Sequence, residues 1–89
     1  MQHKSVQIIN KRGLHARAAA KFATTASQFA SSIQVQLGNF QVNGKSIMGL
    51  MMLAATQGTE LHISATGDDA EAALDALEKL VLGGFGEDE

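Results

Sequence analysis

An imidazole and a guanidinium stand two residues apart in the run Gly13-Leu14-His15-Ala16-Arg17. Histidine is one of the side chains that form covalent intermediates, and arginine offers phosphate oxygens a planar fork of donors. The run lies where an alternating segment gives way to one with three-and-four spacing, so His15 falls at a helix start. A helix start presents unpaired N–H groups and a partial positive charge, which together bind anions and phosphate above all. His15 could therefore carry a phosphoryl group, with Arg17 and the first-turn amides as donors. The plain alternative is a capping or surface histidine, and spacing alone favours it.

The other candidate chemistries are weaker. Gly44-Lys45-Ser46 looks like the end of a phosphate-binding loop, but that motif needs a glycine at position 39, where Asn39 stands. His3 and His62 have no metal-ligand spacing and read as solvated or structural. Asp68, Asp69 and Glu71 read as a helix start and not as a catalytic pair. There is no cysteine, which excludes a disulfide scaffold, thiolate metal sites and thiol catalysis. No residue set calls for a cofactor or a metal.

The elements that must position His15 follow from periodicity. Lys4, Val6 and Ile8 alternate with Ser5, Gln7 and Ile9, a strand pattern ended by Asn10-Lys11-Arg12-Gly13. Residues 16–30 are Ala-rich, with Ala19, Phe22, Ala23, Ala26, Phe29 and Ala30 on one helical face, and Ser31 and Ser32 are expected to end that helix. Ile33, Val35 and Leu37 mark a second strand. Gly38-Asn39 turns it into a short third strand over 40–43. Ser46 can cap a short helix from Ile47 to about Leu53. Leu61, Ile63 and Ala65 mark a fourth strand. Asp68 or Asp69 can cap a last helix carrying Ala73, Leu74, Leu77 and Val81, stopped by Gly83-Gly84. The tail from Gly86 to Glu89 reads as frayed.

The order is βαββαβα, with one apolar face per strand and per helix. Helices should cover one side of an open sheet. Gln34, Gln36, His62 and Ser64 should line the other side, facing water. Residues 1–89 are read as one domain, since a chain of this length sits below the common domain size of about 100–150 residues. The longest apolar stretch, residues 47–55, is far short of the ~20 residues that span a bilayer. The N-terminus lacks a signal peptide's apolar core. A soluble intracellular domain is expected.

In the short helix, Leu50 and Leu53 are the expected core contacts. Ile47, Met48 and Met51 would fall on another arc, either filling gaps or forming an adaptable surface for protein partners. Charge divides along the chain: residues 1–59 hold six Lys or Arg and no acid, whereas residues 60–89 hold nine acids and one Lys.

With these residues in view, the chain resembles the HPr family, the histidine-containing phosphocarriers of the bacterial phosphoenolpyruvate-dependent phosphotransferase system, and its nitrogen-branch NPr-like relatives. The resemblance spans nearly the whole chain. It rests on Gly13-Leu14-His15-Ala16-Arg17, on Lys45-Ser46-Ile47-Met48-Gly49-Leu50-Met51, and on the element order with the Gly67 turn. It implies an α+β open-faced β-sandwich, with a four-stranded antiparallel sheet and three helices on one face. It implies that phospho-Enzyme I passes a phosphoryl group to Nδ1 of His15, which hands it on to enzyme IIA proteins. Arg17 would be the guanidinium partner and the amides of Ala16 and Ala18 backbone donors. Ser46 matches the position phosphorylated by HPr kinase/phosphorylase, where that enzyme is present. Ile47, Met48 and Met51 match the partner-binding surface.

Lys11, Arg12, Arg17, Lys21 and Lys45 are then expected on or near the elements that flank His15, although Thr24 and Ser27 stand where many relatives carry Lys. A cytoplasmic monomer is implied, with no nucleic acid and no membrane insertion: the sheet lacks the aromatic platform used for RNA. The alternative is a regulatory protein-binding module of the same fold that needs no phosphotransfer. One departure concerns the site itself. The family's usual Pro after the Arg is Ala18 here, which leaves an N–H at the helix start.

Overall fold

The structure, a computed structural model, describes residues 1–87. Strand β1 spans Gln2–Gln7 and helix α1 Ala16–Ser27. Strands β2, Ser32–Leu37, and β3, Phe40–Asn43, form a hairpin. Helix α2 covers Ile47–Met52, strand β4 Glu60–Thr66 and helix α3 Ala70–Leu82, after which a short turn covers Gly84–Gly86. The sheet is antiparallel throughout, in the order β1-β4-β2-β3. This is the α+β open-faced sandwich with three helices that the family resemblance implied.

The period-two pattern places Val6, Ile33, Val35, Leu61, Ile63 and Ala65 in the core. Burying each of the larger ones contributes about 1.5–3 kcal/mol relative to exposure. Helix α1 buries Ala18, Ala19, Phe22, Ala23 and Ala26, and α3 buries Ala70, Ala73, Leu74, Leu77 and Val81. The small alanines let α1 pack closely. Leu50 and Leu53 are buried as their spacing predicts. On the open face, Gln36 and His62 are exposed, whereas Gln34 and Ser64 are half-buried. Ser5 Oγ lies 2.8 Å from Nδ1 of the neighbouring His62. Lys4 shares the core-side parity of Val6, and its ammonium reaches Asp75 (3.2 Å) and Glu78 (2.9 Å) on α3. The hydrogen bonds to Glu78 and Asp75 raise the Lys4 pKa above its ordinary value.

Two expectations are corrected around Asp69. Helix α1 ends at Ser27, short of residue 30 and before Ser31 and Ser32. The reason is competition for amides. Asp69 accepts from the N–H of Ala30 (2.8 Å) and of Ser31 (2.9 Å), and also from the Ser31 hydroxyl. Those two N–H groups are therefore unable to continue the helix. Asp69 occupies the N-cap position of α3, yet its carboxylate makes no capping bond there. It ties the end of α1 to the start of α3. The Ser31 hydroxyl, then the Ala30 amide, hold its pKa below the ordinary value. Gly67 permits this approach, because a Cβ on it would lie 2.8 Å from Ser31 Cα.

Candidate functional site

The site begins with a turn fixed by Asn10. The Asn10 carbonyl accepts from the Gly13 N–H (3.1 Å), and its buried side chain donates from Nδ2 to the Gly13 carbonyl (2.9 Å). Gly13 has φ +65°, and a Cβ there would meet Thr56 Cα at 2.9 Å as well as the Ala55 carbonyl. Glycine is thus required by conformation and by space. The next residue, Leu14, donates its N–H to the Ala55 carbonyl (2.9 Å) and buries its side chain. Two anchors therefore deliver the chain to His15 in one direction.

His15 occupies the N-cap position of α1 with extended backbone (φ −78°, ψ −178°). Its carbonyl accepts from the Ala19 N–H at 2.8 Å, closing the first turn. Its side chain makes no capping bond. The simple capping alternative is therefore not what the imidazole does. Ala16, Arg17 and Ala18 form the first turn, where helix geometry leaves their N–H groups without carbonyl partners inside the helix. Arg17 is exposed and Ala18 is buried against the core.

The imidazole meets a partner from the other end of the chain. His15 Nε2 bonds to Oε2 of Glu87, and the other oxygen of that carboxylate accepts from Asn10 Nδ2 at 2.9 Å. The side chains of His15 and Glu87 are 24% and 10% exposed. A carboxylate only accepts, so the ring proton in this contact is on Nε2. The His15 bond, followed by that from Asn10, holds the Glu87 carboxyl below the ordinary carboxylate range, and the charge of Arg12 adds to the effect.

The Gly84–Gly86 turn explains how Glu87 arrives there. Phe85 is 1% exposed, its ring inserted in the core, with its backbone at φ +58°. Its carbonyl accepts from Lys21 Nζ of α1 at 2.6 Å. The N–H groups of Gly86 and Glu87 donate to the carbonyls of Gly83 and Gly84. The expectation of a frayed tail is thus corrected for Gly86 and Glu87: a core aromatic and a lysine clamp fix them. Asp88 and Glu89 lie outside the described residues.

Ser46 caps α2 as expected, its Oγ accepting from the Gly49 N–H at 3.0 Å. Beyond it, Ile47, Met48 and Met51 are exposed, and so is Met52, which the sequence reading left out. Met48 and Met52 are 76% and 75% exposed, so the methionines are surface groups and not gap fillers. Lys45 donates its Nζ to the Phe29 carbonyl at 2.9 Å, beyond the C-terminal end of α1. Among the described residues no cluster of three or more metal-ligating side chains occurs. Among the described residues, no helix is long and apolar enough to cross a membrane.

Sequence reasoning missed Glu87 as the partner of His15 and Asn10 as the partner of Glu87. Asn10 looked like an ordinary turn residue, and Glu87 like one of several solvated terminal acids. The available signal was Phe85, a large apolar residue between glycines after a finished helix.

Residues 2–82 match the family PTS-HPr, described as the PTS HPr component phosphorylation site. The chain is 54% identical to the phosphocarrier protein HPr of Neisseria meningitidis, over 100% of both chains. A crystal structure of HPr from Thermoanaerobacter tengcongensis aligns with TM-score 0.95 and 49% identity over 100% of both chains. That of a Bacillus anthracis phosphocarrier protein HPr aligns with TM-score 0.86 and 44% identity, covering 90% of this chain and 95% of that one.

Proposed function

The chain belongs to the HPr family of the phosphotransferase system, and on that premise we propose that it is a phosphocarrier whose reactive atom is Nδ1 of His15. Phospho-Enzyme I donates the phosphoryl group, and enzyme IIA proteins receive it. The protein is covalently modified in each cycle and has no resident cofactor. The observation that carries this reading is the state of His15: it stands at the N-cap of α1, its side chain is not used as a cap, and it is half-buried. A phosphoryl group on Nδ1 would face the first-turn amides, with those of Ala16 and Ala18 as donors and the positive end of the helix dipole behind them. Arg17, exposed on that turn, supplies the guanidinium that follows the group between partners.

The exposed apolar arc of Ile47, Met48 and Met51 on α2, extended by Met52, is the docking surface for both partners in turn. This use requires His15 to be reachable, which fits a monomer in the cytoplasm. Ser46 lies at the edge of that surface. A phosphate added there by HPr kinase/phosphorylase would bring about two negative charges to the docking face while suiting the start of α2.

An intact-mass assay with Enzyme I and phosphoenolpyruvate tests the reading. One acid-labile phosphoryl group, absent from His15→Ala, is expected. No phosphoryl gain beside an Enzyme I shown to be active would sink the carrier reading and leave the regulatory binding module, docking through α2 without transfer.

A further inference from the structure

We propose that Glu87 is a positioning residue for His15: its carboxylate holds the ring proton on Nε2 and so keeps the Nδ1 lone pair as the nucleophile. The proposal rests on the phosphocarrier reading above. Several independent fixtures place this carboxylate. The Phe85 ring is buried in the core, Lys21 clamps the Phe85 carbonyl, and the Glu87 N–H donates to the Gly84 carbonyl at 3.0 Å. Asn10 takes one carboxylate oxygen and His15 the other. Asn10 also shapes the Gly13 turn, so one side chain sets both the histidine's approach and its acceptor. A carboxylate fixed against one imidazole nitrogen selects the tautomer and stabilises the cation that forms when the other nitrogen reacts.

The step balances without a further base. Nδ1 forms the bond to phosphorus as the phosphorus bond to the donor protein's leaving atom breaks, and that electron pair returns to the donor. The proton stays on Nε2 throughout. The ring becomes a phosphoimidazolium, and the Glu87 carboxylate lies against its positive charge. Onward transfer reverses these bond changes, and the imidazole leaves neutral because Nε2 is still protonated. Glu87 therefore favours arrival, the step in which the ring gains positive charge.

The experiment uses the full chain, Glu87→Ala and Glu87→Gln, with ring-15N-labelled histidine. Phe85 stays in all three, so thermal melts should nearly coincide. In the unphosphorylated wild type, the His15 Nε2 proton should give a resolved downfield resonance, lost in Glu87→Ala. Transfer to His15 should slow roughly tenfold in both variants, the loss expected for one charge-assisted contact. Wild-type transfer rates in both variants, or a wild type with no such proton signal, would overturn the role of Glu87. A wild type that takes no phosphoryl group from active Enzyme I would overturn the carrier reading beneath it. That outcome is distinguishable, because the proton signal is read before any phosphoryl donor is added.

Discussion

Gly13 lies beneath the carbonyl of Ala55, so close that a single methyl group on its Cα would overlap that oxygen and press on Thr56 Cα at 2.9 Å. The segment after α2 thereby acts as the floor on which the histidine loop rests. Gly13→Ala should be destabilising by about 1–3 kcal/mol, since it adds a backbone clash to a left-handed φ. Urea unfolding of the variant checks the magnitude. An unchanged midpoint would mean the loop is not seated on Ala55.

Ala54 occupies the left-handed region, φ +53°, one residue beyond the C-cap of α2 and exposed to solvent. Glycine adopts that conformation without the Cβ clash of roughly 1–2 kcal/mol. Part of the gain is offset by the greater freedom of glycine in the unfolded chain, about 0.4–1 kcal/mol. Ala54→Gly should therefore be more stable by about 0.5–1 kcal/mol, raising Tm by a few degrees. A calorimetric scan reads it, and a lower Tm would contradict the account.

The Asp69 link between α1 and α3 should leave a pH signature. Its folded pKa is depressed from 3.8, mainly by the Ser31 hydroxyl. A depressed carboxyl stabilises the fold above its unfolded pKa and loses that contribution as pH falls through the folded value. The stability gap between wild type and Asp69→Asn should thus be widest at neutral pH and narrow as pH drops below 3.8. Chemical denaturation across that range measures it, and a gap independent of pH would refute the linkage.

Ser46 joins two roles that substitutions can separate. Ser46→Ala removes the bond to the Gly49 N–H and should cost about 0.5–2 kcal/mol. Ser46→Asp keeps an acceptor at a helix start and should stay close to wild type in stability, yet slow phosphoryl transfer from Enzyme I. Equal transfer rates for Ser46→Asp and wild type would count against docking through α2.

Ala18 retains the N–H that the family's usual Pro lacks. If that N–H donates to the phosphoryl group, Ala18→Pro should give a phosphohistidine that hydrolyses faster. Proline's effect on the unfolded chain is about 0.4–1 kcal/mol of stability in the other direction, so a melt separates the two consequences. Unchanged hydrolysis and transfer would remove Ala18 from the donor set.

Local patterns carried most of the architecture. Period two in β1, β2 and β4 and three-residue spacing in Leu50 and Leu53 are physical imprints of faces, so they can be read without coordinates. Phe29 misled for a comprehensible reason: it continues the apolar stripe of α1, but the amides just after it belong to Asp69, far along the chain. His15 and Arg17 stood out through residue type and placement at a helix start. Glu87 did not, because nothing local distinguishes it from a solvated acid. Its placement comes from the burial of Phe85 and the clamp from Lys21, two long-range events.

Strand β1 lies at a sheet edge and pairs with β4 alone, in the register His3 with Ser64. Apart from Asn10, the neighbours that hold the histidine loop, Ala55 and Glu87, likewise come from the later half of the chain. Synthesis runs from the N-terminus, at about 5–20 residues per second. For a few seconds on the ribosome, His15 exists with no strand, floor or carboxylate beside it. The acceptor of the His15 ring proton is thus the last of these parts to be made.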